Sequence, residues 1–188
     1  MHNKIQTSAS APWRKGLIAL AIGISAQFSL AANTAQPDMA LTAKVPLNLP
    51  QTELVYEAIV DIAPAMMLGD GPLGERRMVP ITGGRFSGPG LSGAVLGGGV
   101  DRQLVRKDGV KQLDAFYEMQ TDDGAMLTIR NQVLIDQPKD GQRYAFSKVD
   151  ITAPEGKYGW LNRAVYVGTL DSLRPERQAV LVRVYRVK

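Results

Sequence analysis

Eight of the seventeen residues from Gly83 to Gly99 are glycine, and that density decides what this part of the chain can become. In a helix interior each glycine costs about 1 kcal/mol relative to alanine, so no helix survives there. Aliphatic and β-branched residues, Leu91, Val95 and Leu96 among them, stand between the glycines. The combination predicts bent, bulged β-strands at the corner of a curved sheet, where glycine supplies positive φ and lets backbones approach closely. Gly88-Pro89-Gly90-Leu91-Ser92-Gly93 matches G-x-G-x-x-G, but the dinucleotide fingerprint needs a helix after it, so that phosphate meets the helix N-terminus. The residues that follow, AVLGGGV, cannot make that helix, and no G-x-x-x-x-G-K-[ST] run occurs. The spacing argues against nucleotide binding.

The rest of the domain reads as a meander. Glu53–Ile62 alternates, with Leu54, Tyr56, Ala58, Val60 and Ile62 on one side. PAMMLGDGPLGE is expected to be a loop. Asp108-Gly109 and Asp123-Gly124 are each flanked by alternating residues, a strong short-range hairpin signal. They join strands expected near 101–107, 110–121 and 125–136. Further strands are expected near 143–152, 164–169 and 179–187, separated by proline- and glycine-bearing breaks. Eight to ten short antiparallel strands with no long helix predict an all-β chain: one up-and-down-like antiparallel barrel with a central cavity, or a strongly curved sandwich.

Residues 1–31 read as a Sec signal peptide. Arg14 and Lys15 precede the apolar run GLIALAIGISAQFSLA, and small residues at Ser29 and Ala31 offer a cleavage site. Residues 32–51, with three prolines and no sustained period, read as a flexible lead-in, and the barrel as residues 52–188. The expected location is periplasmic or secreted. Loss of the leader removes Lys4, Arg14 and Lys15 and takes the formal net charge from +4 to +1, so nothing argues for nucleic acid. Aromatics are 6% of residues, and the C-terminal VLVRVYRVK carries charge where a lipid-spanning strand needs apolar groups. No membrane span is therefore expected in the mature chain.

The chain has no cysteine, and its one histidine, His2, lies in the leader. That inventory excludes disulfides, thiolate nucleophiles, Ser-His-Asp catalysis and Cys/His zinc sites from the mature domain. Chemistry falls to carboxylates, Tyr, Lys, Arg and hydroxyls, and neither a metal nor another cofactor is expected.

If Asp123-Gly124 is a two-residue loop, Asp122 faces Ala125. One face of the hairpin then carries Asp114, Phe116 and Glu118 opposite Val133, Asn131 and Ile129. The other carries Tyr117 opposite Arg130. Neither face is purely apolar. Either Asp114 and Glu118 are solvated or ion-paired outside, or the first face lines a cavity whose buried carboxylate, its pKa raised, works as an acid or base.

Several runs resemble one family. PITGGRFSGPGLSG, GGGVDRQLVRKDG, QLDAFYEMQTDDG and YGWLNRAVYVG are together similar to the motifs of the family known as domain of unknown function 3237, across about 54–187. The resemblance implies an antiparallel β-barrel with a central cavity and no established activity. It places the family's polar positions at Arg76, Asp101, Arg106, Asp108, Asp114, Trp160 and Asn162. Trp160 is a hydrophobic plug or a lid that stacks on a flat ligand. Asn162 bonds backbone at a turn or reads the ligand's polar edge.

The resulting expectation is a barrel that binds a small, largely apolar molecule in its lumen, aromatic compounds included. If it is catalytic, Asp101, Asp114 or Glu118 would be the acid or base of a metal-free isomerase, lyase or hydrolase. Arg76, Phe116, Arg130, Asn131, Trp160 and Asn162 would bind the ligand, with Arg76 or Arg130 stabilising negative charge. The alternatives are a lipocalin-like carrier without turnover and an interaction module pairing through an edge strand. Oligomeric state is left open.

Overall fold

A computed structural model describes residues 39–188; the expected leader lies outside the described residues. The chain divides into two units, Met1–Pro46 and Leu47–Lys188. In the first, a short 3-10 helix spans Met39–Lys44, inside the stretch expected to be an irregular lead-in.

The second unit is all β apart from one 3-10 turn at Gly159–Arg163. Its strands are β1 (Thr52–Ile62), β2 (Met66–Gly71), β3 (Gly74–Gly88), β4 (Leu91–Val95), β5 (Val100–Arg106), β6 (Lys111–Thr121), β7 (Met126–Asp136), β8 (Tyr144–Thr152), β9 (Tyr166–Ser172) and β10 (Ala179–Val187). Each pairs antiparallel with its neighbours, and β1 closes the ring by pairing with both β10 and β3. β4 and β5 share one position, each bridging β3 to β6. The result is a closed eight-stranded barrel with β2 as an extra strand along β3, a size whose interior is filled by side chains or holds one small ligand.

The stretch read as a loop, PAMMLGDGPLGE, is a correction: it forms β2, its turn and the start of β3, with Met66 and Met67 exposed. The strand expected at 164–169 instead runs Tyr166–Ser172. The glycine-rich stretch does build the bent corner. Gly88-Pro89-Gly90-Leu91 is a tight turn between β3 and β4, with Gly90 at φ 80°, and no helix follows.

One half of the barrel is solid. Tyr56, Phe86, Met119, Leu127, Ile129, Ile151 and Val184 fill it, with Tyr56 and Phe86 packed edge to face at 5.9 Å. Leu161, from the turn at Gly159–Arg163, adds a fully buried side chain to that cluster. A bulge at Val55 brings both Val55 and Tyr56 into the core and leaves Leu54 outside, breaking the simple alternation.

The hairpin β6–β7 decides which side chains face inward. Its loop has three residues, Asp122-Asp123-Gly124, closed by Thr121 and Ala125, with Gly124 at φ 91°. The Ala125 amide donates to the Thr121 hydroxyl, which itself donates to Asp123. A three-residue loop with glycine in the left-handed position carries the same Asp-Gly dipeptide as a two-residue turn. The extra residue slips the expected register by one, and a one-residue slip turns one strand's side chains to the opposite face. Tyr117 therefore stands opposite Ile129, Ala115 opposite Asn131 and Leu113 opposite Val133 inside, with Asp114, Phe116 and Glu118 opposite Gln132, Arg130 and Thr128 outside.

Candidate functional site

Toward the end where β1 finishes and β10 begins, the lumen is hollow. A cavity of about 60 Å³ is walled by Val60, Val79, Ile81, Leu113, Val133 and Val182, with Asp101, Gln103, Tyr117 and Asn131 as its polar groups. The volume admits several waters or the reacting end of a small molecule.

The polar groups meet there for a reason of register. Asp101 on β5 stands opposite Ala115 on β6, which in turn stands opposite Asn131 on β7. Two strand spacings separate the acid from the amide, about 10 Å between their backbones, with only a methyl group between them. Ala115 thus leaves an alcove, closed by Tyr117 on one side and Leu113 on the other.

Asp101 is 8% exposed and Asn131 2%. One Asp101 oxygen accepts from the Gln103 amide at 2.6 Å; the other, Oδ1, has no partner among the described residues, and neither does Asn131 Oδ1. Burial raises the Asp101 pKa to about 6, against the Gln103 hydrogen bond and the Asp114 backbone amide, which lower it. Unpaired buried polar atoms are rare in folded proteins and await water or a ligand. The lumen holds four more: the hydroxyls of Tyr56, Tyr117, Tyr166 and Ser147. Tyr56 and Tyr117 influence one another without reaching hydrogen-bond geometry, and burial pushes both phenols far up, so they act as neutral donors.

Of the nine residues chosen from sequence, two, Asp101 and Asn131, reach this cavity. Asp114 and Glu118 are corrections: both lie on the outer face. Asp114 accepts hydrogen bonds from Arg130 Nε and Nη2, at 2.9 and 2.7 Å, which holds its carboxyl below the ordinary value. Glu118 accepts from the Thr128 hydroxyl. Phe116, 52% exposed, and Arg130 share that face. Arg76 also lies outside, donating to the Leu68 carbonyl at 3.1 Å. Trp160 is half-exposed beneath the Arg186 guanidinium rather than in the lumen; its neighbour Leu161 is the buried plug. Arg106 and Asp108 pair with one another at the β5–β6 turn.

Asn162 locks backbone, its oxygen accepting from the Ala153 amide and its nitrogen donating to the Ala153 carbonyl, both at 2.9 Å. Asn162→Ala is expected to cost about 2 kcal/mol by stranding both groups, seen as a lower melting temperature with lumen binding intact. Sequence reasoning missed Gln103 and Tyr117. Gln103 was findable, since residues two apart on a strand share a face and Asp101 was already chosen. Among the described residues no cluster of three acidic, His or Cys side chains could hold a metal ion.

Four similarities bear on this geometry. A family described as a protein of unknown function (DUF3237) matches residues 50–187. A UPF0311 protein of Clostridium acetobutylicum is 31% identical over 153 residues, covering 72% of this chain and 95% of the relative. The crystal structure of a beta-barrel like protein from Acinetobacter baumannii superposes with a TM-score of 0.68 at 30% identity, over 76% of this chain and 99% of that one. A protein of Penicillium herquei named as a hydroalkoxylation enzyme is 27% identical over 124 residues, 66% of this chain and 76% of the relative.

Proposed function

Because the chain belongs to the DUF3237 family of β-barrel proteins, whose description assigns no activity, its function must be read from its own lumen, and we propose that it is a cofactor-free acid/base catalyst acting on a small, largely apolar molecule. The observation that carries the reading is Asp101: a buried carboxylate with a free oxygen, facing an apolar cavity, with a pKa of about 6. Such a group gives and takes protons near neutral pH. The Penicillium herquei relative's name suggests the reaction class, addition of a hydroxyl across a carbon–carbon double bond. Within one molecule that reaction is an isomerisation; between two it reverses a lyase step.

In this reading neutral Asp101 protonates one alkene carbon while the substrate hydroxyl oxygen bonds to the other. The hydroxyl proton then returns to the carboxylate. One O–H and one C=C are consumed, one C–O and one C–H form, and Asp101 ends as it began. The Asn131 and Tyr117 polar ends hold the hydroxyl, and the apolar walls keep water from competing. The cavity is smaller than the roughly 300 Å³ at which ligand pockets begin, so the reacting end enters and the remainder stays at the barrel mouth. Ion pairs on the outward faces, such as Asp61–Arg177 and Asp114–Arg130, suit a barrel surrounded by water. Removal of residues 1–31 on export would place it outside the cytoplasm.

Alkenylphenols such as 2-allylphenol, incubated in D₂O, test the proposal. The expected product is the cyclic ether with one deuterium on carbon, and Ala115→Leu, which fills the alcove without adding or removing a charge, is expected to abolish both binding and turnover. Binding that survives Asp101→Asn with no product from any alkenol in a panel would make the protein a carrier. Binding unaffected by Ala115→Leu would remove the lumen from the argument altogether.

A further inference from the structure

Three residues singled out in the sequence, Arg76, Phe116 and Arg130, face away from the lumen, and they gather around one surface feature. A groove of about 750 Å³ lies where the β2–β3 hairpin meets β5, β6 and β7; Leu73, Arg76, Arg102, Leu104 and Leu134 line it. It continues past Arg102 and Asp114 into a recess of about 260 Å³ beside Phe116 and Arg130.

The charges in this groove do not balance. Arg130 gives two nitrogens to Asp114, and Arg77 is taken by Glu75. Arg102 stands directly opposite Asp114 in the β5–β6 ladder, yet its guanidinium makes no hydrogen bond or ion pair among the described residues, while Arg130 occupies that carboxylate from the other side. Among the described residues the Arg76 guanidinium has only the Leu68 carbonyl. Arg76 is paired with Leu104, two residues from Arg102 on the same strand face. Such diagonal neighbours lie about 7–8 Å apart, close enough for both guanidiniums to reach one anion.

We propose that this outer groove binds a small organic carboxylate, its anionic group held between Arg76 and Arg102 and its hydrocarbon body laid along Leu73, Leu104 and Leu134. Guanidinium forks match a planar carboxylate in two parallel hydrogen bonds. The leucines offer nothing to a bare inorganic anion, so the site selects an anion that carries an apolar body. It is separate from the lumen chemistry and stands or falls without it.

Calorimetric titration with 4-phenylbutanoate, its neutral amide and inorganic phosphate tests the site on the wild-type protein and on Arg76→Gln, Arg102→Gln and Asp101→Asn. The carboxylate is expected to bind at least about tenfold more tightly than the amide or phosphate, and to lose about tenfold in either arginine variant. Binding should weaken as salt rises and be unchanged in Asp101→Asn. Both arginines are exposed, so the variants' melting temperatures should match the wild type and confirm that the loss is local. Equal binding of the amide would show that charge is not recognised, and equal binding of phosphate that the apolar body is not. Either result overturns the proposal, as does an absence of binding, or loss in Asp101→Asn as large as in Arg102→Gln, which would put the ligand in the lumen.

Discussion

Asp101→Asn is expected to stabilise the protein at neutral pH while removing its proton-transfer group. In the unfolded chain this carboxyl titrates near 3.9; in the barrel, burial raises it to about 6. Between those values the folded state keeps a proton that the unfolded state releases. Stability therefore falls as pH climbs from about 4 to about 6, and levels off above. A separation of about two pKa units corresponds to roughly 3 kcal/mol at pH 7. Asparagine keeps an acceptor for Gln103 and never charges, so it escapes that cost. Thermal melts at pH 4, 6 and 8 are the measurement: the variant and wild type should coincide at pH 4, and the variant should melt several degrees higher at pH 8. A gap of the same size at every pH would mean that Asp101 does not titrate as a buried acid. The same substitution is expected to lower turnover by about 10²–10⁴-fold. Wild-type activity should fall as pH rises through about 6 where protonation of the substrate limits the rate. A residue kept at a stability cost is what a working acid looks like, whereas a structural carboxylate is kept for its ion pair, as Asp114 is with Arg130.

How far the sequence could be read follows from which signals are local. The strands around the two Asp-Gly turns were legible to within a residue or two, because alternation and turn chemistry are written in neighbouring residues. The face that lines the lumen was not. It depended on whether the loop at Asp123-Gly124 holds two residues or three, and the dipeptide is the same in both. The mixed faces seen in sequence, with Glu118 set against Ile129 and Tyr117 against Arg130, were the trace of that slip. Shifted by one, the inner face becomes Leu113, Ala115, Tyr117 and Met119 against Val133, Asn131, Ile129 and Leu127, with Asn131 the only charged or amide side chain among them. Asp101 came from the family resemblance, not from periodicity, and its partner Gln103 follows from it by strand alternation. The outer groove was not legible at all. Arg76, Arg102 and Leu134 lie on three strands that no short-range pattern relates, and only the pairing of β3 with β5, β5 with β6 and β6 with β7 brings them together.

Closure itself rests on the feature that makes the sequence unusual, and Gly84→Ala is expected to undo it. Gly84 lies on β3 opposite Val60, in the ladder where β3 meets β1 and the ring is completed. Its φ is +142°, and a Cβ there would sit 2.1 Å from the Ile59 carbonyl oxygen and 3.2 Å from the Val60 Cα. Neither atom can yield, because both belong to the backbone of a strand held on its other side by β10. Relief therefore requires β1 and β3 to separate. Gly98→Ala is the control, since Gly98 also has a positive φ, +102°, but nothing within 4 Å of the added carbon. That substitution should cost only the backbone strain, about 1–2 kcal/mol. Gly84→Ala should cost about 4 kcal/mol or more, a large share of the 5–15 kcal/mol that holds a domain together. Urea unfolding midpoints would separate the two, and equal costs would mean that φ alone, not contact across the seam, makes glycine necessary there. If the seam opens as expected, Val60 and Ile81, which stand on either side of it and wall the Asp101 cavity, part with it. Gly84→Ala protein that still folds should then lose lumen binding while keeping the outer groove, whose residues lie at the start of β3 and on β5, β6 and β7, away from the β1 seam.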